Sequence, residues 1–548
     1  MNKVFAIFAF LLLVFLLFLW QIPVLSLQNW LISTYQLDPV QAQKLKENLL
    51  NSNSWLFLRI FGSVLLALML WLLFLLQTQI KTISYQAQSQ FKTFLKPFQK
   101  LSNIEKITLI FALCLLNGYT LYNLHHKIPH IDEAFSYVHF ASKGFLVSAL
   151  YYPNPNNHIF YNLNVAFWDM FVLNKLWAMR LPSFLSFLAL QFFLFRFFLQ
   201  NFSFANALLS VLIFALLSPV QAYAMMGRGY VLQMLFLWLS IHFLAKIIQE
   251  KPMKVDVLGF ILASWAAFYT IPTHLYYFVS LAILALLRNL PNFSKIYFLG
   301  KVHLAVLILA GLSYLPVFLL NGRANLFSES WQKVARQAFQ EKKYEYILTF
   351  GDFWVGLENK HWIFWGLIIT SFLFLWLKFL RKTSLPSPQL TFFLIYTPFC
   401  VFLIMFLQQT LIPERVWTGL ALSWVVIIVL AIHSLKKCAS VALILLVLAE
   451  IFVQFYQKNE IIENEYTNFA KVYPVMPLLK GEKVLSNDLV YQNLLSFYNL
   501  QDQKGLEIDY SYKAKDYQWI ILTKNTYSKP PKGYWLWQET PFVMIFSK

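Results

Sequence analysis

Long apolar runs constrain this chain more than any other feature. Stretches able to cross a bilayer lie near 4–26, 55–77, 107–124, 183–199, 203–220, 229–248, 256–272, 274–290, 301–320, 362–380, 391–407, 416–435 and 438–456. Each approaches the roughly 20 residues that a helix needs to span the hydrocarbon core. Only 13% of the 548 residues are charged, against about 25% in a soluble domain. The runs therefore meet lipid rather than fill an outsized soluble core. The expected fold class is a polytopic α-helical membrane protein with about thirteen transmembrane helices. The first run is too long for a signal-peptide core and has no A-x-A site after it, so it reads as a retained helix.

The net charge of +19 does not point to nucleic acid, because the basic residues sit in short clusters between apolar runs. Clusters of that kind set membrane topology. Lys81, Lys92, Lys96, Lys100 and Lys106 form the first, and Lys246, Lys251 and Lys254 the second. Arg288, Lys295 and Lys301 follow, then Lys378, Arg381 and Lys382, then Lys436 and Lys437. All fall on one face if the N-terminus is cytoplasmic, which places the C-terminus outside. This holds only if His158–Leu173 lies flat on the outer interface rather than crossing, with Asp169 on its exposed face.

The chain then divides into three parts. Residues 1–100 hold two helices and a basic cytoplasmic loop. Residues 101–456 form the transmembrane module, with external loops 125–182 and 321–361. Residues 457–548 form a small extracytoplasmic α/β domain, with Val484–Tyr498 as a mixed segment and strands near Trp519–Thr523 and Phe542–Phe546. Cys114, Cys400 and Cys438 lie in or beside apolar runs without pairing or metal spacing, and read as core residues. A bacterial inner membrane suits these plain lysine-rich loops.

The polar residues of the outer face carry the candidates for chemistry. Asp132-Glu133 follows the third apolar run. A carboxylate pair there serves as a base, or merely suits the positive end of a helix. Asn154-Pro155-Asn156-Asn157-His158 is a turn into the interfacial helix, where Asn157 is placed to cap it. His158 orients a carboxylate, donates to a phosphate, or is only structural. Arg180-Leu181-Pro182-Ser183 places Pro182 in a first helical turn and lets Arg180 snorkel to headgroups. In Gly227-Arg228-Gly229-Tyr230 the glycines let a phosphate come close to an arginine suited to bidentate contact, or Arg228 is another interfacial anchor. Thr273-His274 marks a tight outer turn, and Arg415 is a second candidate for an anionic headgroup. Carboxylates for a base and arginines for a phosphate then meet at the outer membrane boundary. That combination suits a lipid-phosphate substrate entering sideways from the bilayer.

In this order the motifs resemble the GT-C superfamily of polytopic glycosyltransferases, within the family 39-like branch of protein mannosyltransferases and aminoarabinose transferases. The resemblance runs from about Ile107 to Tyr277, and more loosely to the thirteenth apolar run, through Asp132-Glu133, His158, Arg180-Leu181-Pro182-Ser183, Ser218-Pro219, Arg228-Gly229-Tyr230, Tyr269 and Thr273-His274. It departs where many relatives read His-Pro-Pro and this chain reads Asn156-Asn157-His158. The resemblance implies transfer of a sugar from a polyprenyl-phosphate donor to an extracytoplasmic lipid, glycan or protein, with inversion. It makes Asp132 the general base and Glu133 its support or a sugar contact. It gives the donor phosphate to Arg228 and Arg415, and substrate contacts to His158, Tyr230 and His274. Some members use a divalent metal, but the carboxylates here are too few and scattered to argue for one. Two other readings stand beside the transferase. A transporter or flippase predicts polar groups through the bilayer, and few occur. A non-catalytic scaffold predicts that Asp132 and Arg228 tolerate any change.

Overall fold

Most of the apolar runs become helices, and side-chain caps start some of them. The computed structural model describes residues 20–21, 23–34, 43, 46–47, 52–152, 156–249, 252–327, 329–355, 361–380, 387–434, 483–486, 489–503, 505–509, 517–523, 533–539 and 543–548. In chain order the helices begin with α1 Val24–Thr34, α2 Ser52–Gln99, α3 Asn103–His126, α4 Ile131–His139, α5 Gly144–Leu150 and α6 Ile159–Asp169. They continue with α7 Lys175–Asn201, α8 Phe204–Leu216, α9 Ser218–Ala224, α10 Tyr230–Ile247, α11 Lys254–Thr270 and α12 Leu275–Asn289. The remainder are α13 Phe293–Phe327, α14 Glu329–Val355, α15 His361–Leu380, α16 Pro388–Gln408, α17 Ala421–Ser434 and α18 Leu489–Asp502. A capping box starts α3: the Glu105 amide donates to Ser102 Oγ at 3.3 Å, and the Ser102 amide donates to Glu105 Oε2 at 2.9 Å. At the start of α7 the Asn174 carboxamide accepts from the Trp177 amide at 3.1 Å.

Among the described residues, six helices are long and apolar enough to cross a membrane, or seven if one bent pair is a single span. That bent pair is α8 and α9, which meet at 71° where the sequence suggests one helix over 203–220. Pro219 sits at the start of α9 and cannot continue the preceding ladder. The expected count of about thirteen is not reached among these residues. Most of 4–26 and all of 438–456 lie outside them. The runs 256–272 and 274–290 give α11 and α12, of 17 and 15 residues, separated by a 3-10 turn at Pro272–His274.

Two expected loops are helical instead. The basic segment after 77 continues α2 to Gln99. Gln86, Gln90, Phe94 and Phe98 recur every fourth residue and face the bundle. Gln86 accepts from the Val255 amide at 3.3 Å, and Gln90 donates to Asp256 at 2.8 Å. Phe98 stacks on Phe192 at 4.6 Å. Lys92, Lys96 and Lys100 are left exposed. Likewise 321–361 is mostly α14, because Phe339, Tyr346, Phe350 and Trp354 form one buried stripe that the interleaved charges conceal in the sequence. Pro182 also lies well inside α7 rather than in its first turn.

Near the C-terminus lies a five-stranded sheet of Lys483–Ser486 (β1), Glu507–Asp509 (β2), Trp519–Thr523 (β3), Trp535–Glu539 (β4) and Val543–Ser547 (β5). Its order is β2-β1-β3-β5-β4, with β1 parallel to β2 and β3, and β5 antiparallel to β3 and β4. The α18 helix packs against α4, so the sheet and the site share one apolar cluster containing Ala134, Tyr137, Leu494, Phe497 and Tyr498. The Phe497 and Tyr137 rings meet edge to face at 5.5 Å. A helix of nine residues such as α4 is unstable alone, so packing must hold it. Phe497→Ala is expected to cost about 3–5 kcal/mol, the usual loss for a buried Phe. Thermal unfolding in detergent checks this, and an unchanged midpoint contradicts the coupling.

Candidate active site

The α4 helix presents one side chain to each of its neighbours. Its N-terminal box uses Glu133, whose Oε2 accepts from the His130 amide at 2.7 Å. Glu133 is 1% exposed. Its Oε1 accepts from Arg180 Nε at 2.9 Å and its Oε2 from Arg180 Nη2 at 3.0 Å, while the Gly227 amide donates to Oε1 as well. Burial alone would raise the pKa of this carboxyl. The Arg180 charge and the Gly227 and His130 amides outweigh burial and hold it below its usual value.

Arg180 is just as fully engaged, which corrects its reading as a headgroup anchor. Its remaining donors bond the carbonyls of Leu124 at 2.7 Å, Lys127 at 2.9 Å and Ile128 at 3.3 Å. It thereby ties the C-terminal end of α3 to α4 through α7. Both Glu133 oxygens are taken, so Glu133 fixes the helix rather than reaching a sugar. Removing one member of a buried pair strands the other charge. Glu133→Gln is expected to cost about 3–5 kcal/mol of stability, and Arg180→Met added to it should recover part of that loss. A Glu133→Gln variant as stable as the parent by thermal unfolding contradicts the clamp.

Asp132, the next residue back, is different. Its side chain is 31% exposed. Among the described residues its Oδ1 accepts a single long bond, from Asn156 Nδ2 at 3.4 Å. His130 Nδ1 lies 4.0 Å from Oδ2, but the same nitrogen accepts from the Asp132 amide at 3.1 Å. Asp132 therefore has an accessible carboxylate next to a Glu133 whose oxygens are both engaged.

Arg228 comes to the backbone of Asp132 from the α9–α10 connection and is 3% exposed. Its Nη1 donates to Ser136 Oγ at 2.5 Å, to the Asn156 carbonyl at 3.2 Å and to the Asp132 carbonyl at 3.4 Å. Its Nη2 donates to Asn156 Oδ1. Its Nε is buried without a partner, and among the described residues no carboxylate lies within ion-pair distance of it. A buried guanidinium held only by neutral oxygens is costly unless an anion joins it.

His158 faces the same guanidinium. The Gly229 amide donates to Nδ1 at 3.0 Å, so the proton of the neutral ring is on Nε2. Nε2 lies 3.2 Å from Arg228 Nη2, which leaves two N–H groups facing one place. Burial, then the charges of Arg228 and Arg415, press the His158 pKa well below its usual value, so the ring stays neutral. The flanking glycines serve this packing rather than the approach of a phosphate. A Cβ on Gly229 would lie 2.8 Å from Thr270 Cγ2 and 3.0 Å from His158 Nδ1, and one on Gly227 would collide with Met179. Ser183 also donates to the Arg228 carbonyl at 3.0 Å, so the segment from Arg180 to Ser183 pins both halves of the site.

Of the other candidates, Tyr230 is in the site, with its ring edge-on to His158 at 5.1 Å. Arg415 is exposed on the 3-10 segment Glu414–Leu420, and its charge reaches Asp132, Tyr230 and His158. His274 is elsewhere: it is fully buried against Phe268, at 5.1 Å, and Tyr277. Burial lowers its pKa to about 3. Asn157 does not cap α6; its Nδ2 donates back to the carbonyls of Ser148 at 3.0 Å and Tyr151 at 2.8 Å. Asp169, expected on an exposed face, accepts from the Tyr137 hydroxyl at 2.7 Å and pairs with Lys175 at 3.0 Å. Ser136 and Asn156 are site residues that the sequence alone did not single out. Ser136 lies one turn after Asp132, and that spacing was the available signal. Among the described residues no three His, Cys, Asp or Glu side chains are placed to hold a metal ion.

No protein-family model matches the chain, and no curated protein matches it. Solved structures do. ArnT from Cupriavidus metallidurans in the apo state superposes with a TM-score of 0.51 at 12% identity, over 80% of this chain and 97% of that one. ArnT from Cupriavidus metallidurans bound to undecaprenyl phosphate gives the same score and identity, over 81% of this chain and 98% of that one. With its apolar helices, this chain is an integral membrane protein with the fold of ArnT.

Proposed function

We propose that the chain is a GT-C-type glycosyltransferase that moves a sugar from a polyprenyl-phosphate donor to an extracytoplasmic acceptor. The observation that carries this is Arg228: a buried cation with an unpartnered Nε and no carboxylate in ion-pair reach among the described residues, whose Nη1 touches the backbone of Asp132. The likeness in fold to a protein solved with undecaprenyl phosphate supports it. The donor phosphate sits on Arg228 and the His158 Nε2–H, with Arg415 adding charge from the exposed side. Asp132 takes the proton of the acceptor hydroxyl. The acceptor oxygen bonds to the anomeric carbon as the bond from that carbon to the phosphate oxygen breaks. One displacement gives inversion. The charge left on polyprenyl phosphate is stabilised by the arginines. Glu133 and Arg180 hold α4, and so the base, in place.

The two ends of α10 support an orientation. Tyr230 begins it at the site, and Lys246 ends it beside Gln90 at 3.0 Å and Asp256 at 3.6 Å. About 25 Å of helix separates them. Lys92, Lys96 and Lys100 belong to the α2 segment latched at that far end, which is therefore cytoplasmic by the positive-inside rule. The site then faces the outside of a bacterial inner membrane.

Thermal unfolding of the full chain with added polyprenyl phosphate tests the reading. The lipid is expected to raise the midpoint of the parent and leave that of Arg228→Gln unchanged. Equal stabilisation of both contradicts the assignment of Arg228.

A further inference from the structure

Two of the oxygens that meet Arg228 belong to one residue. Asn156 offers Nη2 its side-chain oxygen and Nη1 its backbone oxygen, the latter at 3.2 Å. The other end of the same carboxamide turns Nδ2 toward Asp132 Oδ1 at 3.4 Å. A single amide thus stands between the base and the cation. Its oxygen satisfies the guanidinium geometrically but carries only a partial charge, so it binds Arg228 more weakly than an anion does.

We propose that Asn156 is a positioning residue that occupies the place of the donor phosphate on Arg228 until the donor arrives, and then serves Asp132. This rests on the reading of Arg228 as the phosphate-binding residue. A neutral occupant is displaced at little cost. A carboxylate at the same place forms a buried ion pair with Arg228 and competes with the phosphate. Removing the amide leaves Arg228 less compensated before an anion binds, so an anion gains more by binding. Once displaced, the carboxamide still donates to Asp132 and orients it toward the acceptor.

Equilibrium binding of polyprenyl phosphate to the full chain in detergent separates these effects. Asn156→Ala is expected to bind about threefold or more tightly than the parent, and Asn156→Asp about tenfold or more weakly. In transfer assays Asn156→Ala should lower kcat without raising KM for the donor, because Asp132 loses its amide donor while Arg228 does not lose the phosphate. A residue that only shapes the loop would weaken binding in both variants. That result overturns the proposal, and so does equal affinity in all three proteins. A parent that does not bind polyprenyl phosphate overturns the reading of Arg228 itself, which is a different outcome from parent binding with no contrast between the variants.

Discussion

Asp132→Asn is expected to reduce sugar transfer by about a hundred- to ten-thousand-fold, the range that general bases supply. The substitution preserves shape and can still accept the bond from Asn156. The side chain is 31% exposed, so folding should survive. The thermal midpoint should therefore stay near that of the parent while turnover collapses. Asp169→Asn is the control. Its bonds to Tyr137 and Lys175 make it a structural residue, so it should lose stability and keep transfer once folded. A loss of turnover in folded Asp169→Asn equal to that of Asp132→Asn moves the base elsewhere.

Arg228→Gln is expected to lower turnover of the donor by about a hundred- to a thousand-fold, as removal of one preorganised charge contact does. Its effect on folding should be of the opposite kind to that of Glu133→Gln. Glu133 lies in a closed pair with Arg180, so its loss strands a charge. Arg228 has no anionic partner among the described residues, so removing its charge relieves a burial cost and the glutamine retains some of the polar contacts. The two variants should thus separate, one losing stability and the other losing activity. Kinetics beside thermal unfolding show this. If Arg228→Gln unfolds as readily as Glu133→Gln, the cation is structural.

The sequence made the membrane class legible because apolar runs of helical length have few other uses. It placed Asp132, His158, Arg228, His274 and Arg415 on one face, and the structure brings the first three together. What it could not reveal was which arginine is spent. Arg180 and Arg228 look alike as basic residues at the membrane boundary. Only the fold shows that Arg180 meets Glu133 and three carbonyls while Arg228 meets neutral oxygens. Asn156 was hidden for a similar reason: an Asn-rich turn reads as turn chemistry, and its contact with Arg228 lies 72 positions away in sequence. His274 misled because a polar residue in an outer turn looks accessible, whereas Phe268 and Tyr277 bury it. The α14 helix was missed because its buried aromatic stripe is diluted by lysines and glutamates on the other face.

The central claim is that the chain breaks the bond between a sugar and polyprenyl phosphate. The most direct measurement is release of polyprenyl phosphate from a panel of polyprenyl-phosphate sugars by the purified full chain, with a membrane extract as acceptor source and Asp132→Asn run alongside. The parent should consume at least one donor, and the folded variant should leave that donor intact. A folded parent that consumes none of them, or a variant that matches the parent, contradicts the account.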